Sequence, residues 1–140
     1  MPAGYSKKSL VDKLGIKDGF TIAIVGSPEN YAATLGSLPS GVRQTKGIKG
    51  PLDFLQFFCS KRSDLESHFP KLKAALSPRG MLWVSWPKGS SGVLTDLTEN
   101  VVREIGLRNG LVDIKVCAVD ETWSGLKFVF RLKDRRSADL

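Results

Sequence analysis

The chain is poor in the side chains that most site chemistry relies on. It has one histidine and two cysteines in 140 residues. Three such groups cannot furnish a four-ligand zinc site unaided. No apolar run reaches the length of a membrane span. Met1–Ser9 is polar, and Lys7 and Lys8 are not followed by the apolar stretch of a secretory signal. Cys59 and Cys117 both sit inside apolar runs, which reads as free buried thiols in a reducing cytoplasm. There is no block of five like charges and no basic stretch interleaved with exposed aromatics, which speaks against nucleic acid. Nucleophiles are poorly served too. Ser27 lacks the G-x-S-x-G elbow. Cys59 has only His68, nine residues away on a helix, so no base is argued to activate it.

What is present is an ordinary globular balance, 41% hydrophobic and 25% charged, with a net charge of +7. The length suits a single domain over residues 1–132, followed by a polar, frayed tail over 133–140. Ser6 is placed to cap a short helix through Leu14, closed by Gly15. Phe20–Val25 is a continuous apolar run rich in β-branched residues, the pattern of a strand buried on both faces. Ser27 and Pro28 then start a helix to about Leu35. Val42–Thr45 is a doubtful edge strand, and Leu52–Cys59 a second buried one. Ser63 and Glu66 form a capping box for a helix to about Leu76, which Pro70 should kink or restart. Strand 81–86 follows the Pro78–Gly80 turn. Asp96 and Glu99 cap a helix ended by Asn109-Gly110. Strands 111–119 and 126–132 read as a hairpin. Strands alternating with helices predict an α/β domain with a Rossmann-like, mostly parallel sheet and a closing antiparallel C-terminal hairpin.

Two resemblances fit this order. Leu14-Gly-Ile-Lys-Asp-Gly19 before a strand ending in Gly26, Leu76–Val84, and the closing hairpin resemble a class I S-adenosylmethionine-dependent methyltransferase. Trp86-Pro-Lys, Thr95-Asp-Leu-Thr, Val102-Arg-Glu and Val116–Lys127 more closely resemble a family of short bacterial proteins that carry a domain of unknown function. The methyltransferase resemblance implies a topology lacking one strand–helix unit, between residues 46 and 51. Its cofactor loop departs from the pattern: Ile24 stands at the acid position, and Pro28 and Asn30 at two glycine positions. The second strand, Val42–Thr45, ends without the acid that holds ribose hydroxyls.

Ligands of open α/β sheets bind beyond the carboxyl ends of the parallel strands. That edge gathers the candidate ligand-binding residues Gly26, Ser27, Lys88, Ser90, Ser91, Asp120 and Trp123. Lys88-Gly-Ser-Ser-Gly92 offers backbone N–H groups, hydroxyls and a charge suited to phosphate or carboxylate. In Asp120–Gly125, Trp123 is placed to lid a planar ligand, or equally to cover the end of the core while Asp120 bonds the turn backbone. The expectation is a non-catalytic binding or regulatory domain for a small anionic or nucleotide-like ligand, with no catalytic residue, cofactor or metal. The alternative is a methyltransferase with an altered cofactor loop.

Overall fold

A computed structural model describes residues 8–139. One six-stranded sheet runs in the order β2-β1-β3-β4-β6-β5. β1 (Thr21–Val25), β2 (Arg43–Gln44), β3 (Leu52–Phe58) and β4 (Leu76–Pro87) are mutually parallel. β6 (Trp123–Phe130) is antiparallel to β4, and β5 (Leu111–Ala118) is antiparallel to β6. β5 therefore shares the direction of the parallel strands. α1 (Leu10–Leu14) and α2 (Tyr31–Leu35) pack on one face, around Phe54, Phe58 and Trp83. α3 (Arg62–Ala75) and α4 (Glu99–Arg108) pack on the other, around Leu55, Leu82 and Phe128.

The strands form where two-sided burial favours them. β3 is apolar at all but two positions, and six of its seven residues are buried. The 42–45 piece is an edge of two residues, Arg43 and Gln44. It pairs only with Thr21 and Ile22, the first two residues of β1. Because β2 lies at the start of β1, residues 45–51 bring the chain round to β3 without a crossover helix. β4 begins at Leu76, directly after α3, and not at Met81. Leu52 faces Leu76 and Phe54 faces Met81, so residues 77–80 bulge out of the ladder where a turn was expected. β5 carries a smaller irregularity between Asp113 and Lys115, which places Ile114 out of register.

Several helix ends differ from expectation. Ser6 lies outside the described residues, and the cap of α1 is Ser9, whose Oγ accepts from Asp12 N–H at 3.1 Å. Ser27 and Pro28 start no helix; α2 begins at Tyr31 behind Asn30. The Ser63–Glu66 box does not form. α3 starts at Arg62, and the Arg62 N–H is taken by Asp96 Oδ1 at 2.7 Å. Asp96 therefore serves α3, while Thr98 caps α4 by accepting from Val101 N–H at 3.2 Å. The start of α3 depends on a partner distant in sequence, which local capping rules do not see. α3 runs unbroken through Pro70. β6 starts at Trp123, three residues before the expected Leu126, because Pro87 gives Trp123 a partner. β6 ends at Phe130, two residues before the expected Leu132, and helix α5 (Leu132–Asp139) takes up Leu132 and most of the 133–140 segment expected as a frayed tail.

Candidate functional site

The chain leaves β1 to pair β2 on one side and returns to β3 on the other. The order therefore reverses between β1 and β3, and the crevice of an open α/β sheet lies at such a reversal. Gly26 ends β1 there. Its φ is +75°, and a side chain at this position would come within 2.7 Å of Phe58 O, so glycine is required by the turn itself.

The crevice is filled from within. Tyr31, the first residue of α2, is buried against Phe58 at the end of β3, ring centroids 4.8 Å apart and edge-on. Trp123 meets the same Phe58 ring edge-on at 5.1 Å. Tyr31 Oη donates to Gln56 Oε1 at 2.6 Å, and Gln56 Nε2 donates to Ser85 Oγ at 3.0 Å. Gln56 and Ser85 are fully buried, yet each has a partner, as buried polar groups require. Burial pushes the Tyr31 phenol well above its ordinary range, so it stays protonated and donating.

Two concavities flank Tyr31. The smaller, about 130 Å³, is lined by Ile24, Ser27, Leu35, Leu38 and Gln44 among others. The larger, about 430 Å³, lies between α2 and the β5–β6 turn. Glu29, Asn30, Asp120, Glu121 and Trp123 border it, with no lysine or arginine. A third, about 420 Å³, lies between Ser60–Ser63 and Leu94–Asp96, after β3.

The expected site residues divide accordingly. Asp120 and Trp123 border the larger concavity and Ser27 the smaller. Lys88 is on the same edge, since its N–H donates to Thr122 O at 2.8 Å. Lys88, Ser90 and Ser91 line none of the three concavities. In the loop expected to cradle phosphate, the Ser91 hydroxyl is used within the loop. Its Oγ donates to Lys88 O at 2.7 Å and accepts from Val93 N–H at 3.1 Å. Asp120 is likewise engaged by its own turn, Oδ1 accepting from Thr122 and Trp123 N–H at 2.8 Å each. Trp123 is half-buried, between the lid and the core-cover readings.

The thiols and the histidine stay apart from this edge chemistry. Burial, with help from Asp64 and Asp96, pushes the Cys59 thiol up to about 12, and burial raises Cys117 as well. Neither is a ready thiolate. His68 sits on α3, Nδ1 2.8 Å from Asp64 O, its ring 5.2 Å from that of Phe57. Among the described residues no group of three or more His, Cys, Asp or Glu is placed to hold a metal. No described helix is long and apolar enough to cross a membrane.

Sequence reasoning missed Tyr31 and its chain to Ser85. Gln56 was the available signal: one amide inside Leu52–Cys59 must find a buried partner.

The strand order, with its closing antiparallel β6, is that of the class I S-adenosylmethionine-dependent methyltransferase fold, shortened at the β2 side. Three solved structures make the likeness concrete. A SAM-dependent methyltransferase from Aquifex aeolicus superposes with a TM-score of 0.61 at 16% identity, over 85% of this chain and 86% of that one. The precorrin-6y C5,15-methyltransferase from Geobacter metallireducens gives 0.58 at 11% identity, over 87% and 86%. A methyltransferase from Pyrococcus furiosus gives 0.57 at 13% identity, over 85% and 78%. At these identities the likeness is one of fold. No family model and no curated protein matches the sequence.

Proposed function

We propose that this chain belongs with the short bacterial proteins that its Trp86-Pro-Lys and Val116–Lys127 motifs resemble, and that it acts by binding a small ligand without transferring a methyl group. The observation that carries this reading is the Tyr31–Gln56–Ser85 chain. Its Tyr31 ring stands at the crevice between β1 and β3, anchored through Gln56 to Ser85, with about 130 Å³ on one side and about 430 Å³ on the other. Ligand sites for small molecules and cofactors run from about 300 Å³ upward. The cofactor loop also lacks its acid and two glycines, at Ile24, Pro28 and Asn30. The ligand seat is the concavity between α2 and the β5–β6 turn. Its carboxylates, Glu29, Asp120 and Glu121, reverse the expected ligand sign there. With the Trp123 and Tyr31 rings, they favour a cation on a planar or apolar body.

The second reading, methyl transfer with an altered cofactor seat, has the fold likeness on its side. Its volume is also adequate, because the larger concavity reaches about 430 Å³. Titration calorimetry with S-adenosylmethionine and S-adenosylhomocysteine separates the two. The proposal expects no binding tighter than about 10 micromolar, equivalent to about 7 kcal/mol. A tighter constant, lost on Asp120→Asn, sinks the claim that the cofactor is excluded, and conversion of bound S-adenosylmethionine to S-adenosylhomocysteine in the presence of an acceptor then marks the second reading.

A further inference from the structure

Four lysines converge on the sheet face that α1 covers. Lys115 and Lys127 face each other as cross-strand partners in β5 and β6. Lys13 and Lys17 flank Gly15, the residue that closes α1 at φ +87°. Lys115 Nζ donates to Lys13 O at 3.1 Å, which ties β5 to the end of α1. A side chain built at Gly15 would sit 3.6 Å from Lys127 Nζ, so the Lys127 ammonium lies directly beneath the helix end.

Lys127 is half-buried, and among the described residues no ion pair or hydrogen bond reaches its ammonium. Burial lowers its pKa, and the charges of Lys115 and Lys17 lower it further. Lys13 and Lys115 also bear on the Cys117 thiol, so the cluster reaches along β5. Like charges directly opposite on neighbouring strands destabilise a sheet. A buried charge without a partner adds to that penalty. An anion seated among these ammonium groups removes both at once. Lys127 lies between the end of α1 and the β5–β6 ladder, with Lys17 and Lys115 exposed beside it, a short cluster matched to a small anion rather than an extended polymer. The net charge of +7 draws anions towards it.

We infer that Lys17, Lys115 and Lys127 form a binding site for a small phosphate-bearing ligand, with Lys127 at its floor and the other two at its rim. The site lies on the α1 face, and its test does not depend on the concavity beside Asp120. Inorganic pyrophosphate is the probe, titrated into the full chain by calorimetry and followed by thermal melting. Pyrophosphate raises the melting temperature of the unaltered chain. Lys127→Met weakens its binding at least tenfold and raises the melting temperature without ligand, because it removes an unpaired charge. Lys49→Met, which deletes an exposed loop charge, leaves binding unchanged. If Lys127→Met does not fold, the double variant Lys17→Met, Lys115→Met carries the same test from the rim. Equal weakening by Lys49→Met would reveal a diffuse field and overturn the site. So would no detectable pyrophosphate binding at roughly millimolar concentration. Preference for a single-stranded oligonucleotide over pyrophosphate, with steep salt dependence, would overturn it in favour of a nucleic-acid track.

Discussion

Replacing Gln56 with leucine should unsettle this protein in a way that further replacement repairs. Gln56 accepts from Tyr31 and donates to Ser85, and all three groups are buried. Leucine fills nearly the same volume but leaves two buried hydroxyls without a side-chain partner. Each orphaned group costs about 1–3 kcal/mol, so Gln56→Leu should lose about 2–6 kcal/mol. For a chain of this size that is a fall in melting temperature of about 6–18 °C. Tyr31→Phe alone orphans one acceptor and should lose about 1–3 kcal/mol. The triple variant Tyr31→Phe, Gln56→Leu, Ser85→Ala removes every member of the chain. Replacing all partners by apolar groups of similar shape is nearly neutral, so it should recover at least half of the Gln56→Leu loss. Urea unfolding monitored by circular dichroism measures all three variants on one scale. A triple variant less stable than Gln56→Leu would mean that the hydroxyls act independently, and the account of a closed polar chain would be wrong.

Four further outcomes follow from other parts of the structure. Asp96→Ala should cost about 1 kcal/mol, since Asp96 accepts the first N–H of α3, and a matched loss should be seen by the same urea assay. Gly26→Ala should cost more than about 1 kcal/mol, because the left-handed backbone is strained for alanine and the new methyl meets Phe58 O; a neutral result would contradict the close approach of β1 and β3. Cys59 is an acid whose folded pKa is raised, to about 12 against an ordinary 9. Its contribution is fully present below pH 9 and is lost as pH rises from 9 to about 12. Iodoacetamide at pH 8 should accordingly spare Cys59 until urea unfolds the chain. Lys127 is a base whose folded pKa is lowered. Stability should therefore rise as pH climbs through that lowered value towards the ordinary 10.5. Comparing Lys127→Met with the unaltered chain isolates this rise from the opposing cysteine effect.

β3 was legible because two-sided burial leaves a nearly unbroken apolar run in Leu52–Cys59; Phe20–Val25 marked β1 as a strand, though only Ile22 and Ala23 of it are buried. The hairpin was legible from two strand runs joined by a tight connection, and the shortened topology only from the resemblance to class I methyltransferases. The helix starts were not. Asp96 caps a helix 34 residues before it in sequence, and Asn30 displaces Ser27 as the residue before α2. The edge of the sheet that carries the candidate site follows from strand polarity, so Asp120, Trp123 and Ser27 were found near its concavities. Glu29 and Glu121 lie in the same two segments that strand polarity brings to this edge. Tyr31 was missed, because it looks like an ordinary helix residue until the fold brings α2 against the β5–β6 turn. The lysine cluster was invisible for a related reason: its members lie in three segments that only sheet register brings together.

The two rims of the sheet bear on how any other chain could attach. A strand adding to an open edge needs a row of unpaired backbone groups in even spacing. On one side the outermost strand is β2, and its two residues offer almost no such row. On the other side β5 is eight residues long, but its ladder is interrupted at Ile114. Bulges of this kind kink a strand and spoil its match to an incoming one. Both rims are thus poor templates for growth by backbone pairing. Docking through side chains and loop surfaces is favoured instead, so associations of this protein should respond to single side-chain substitutions.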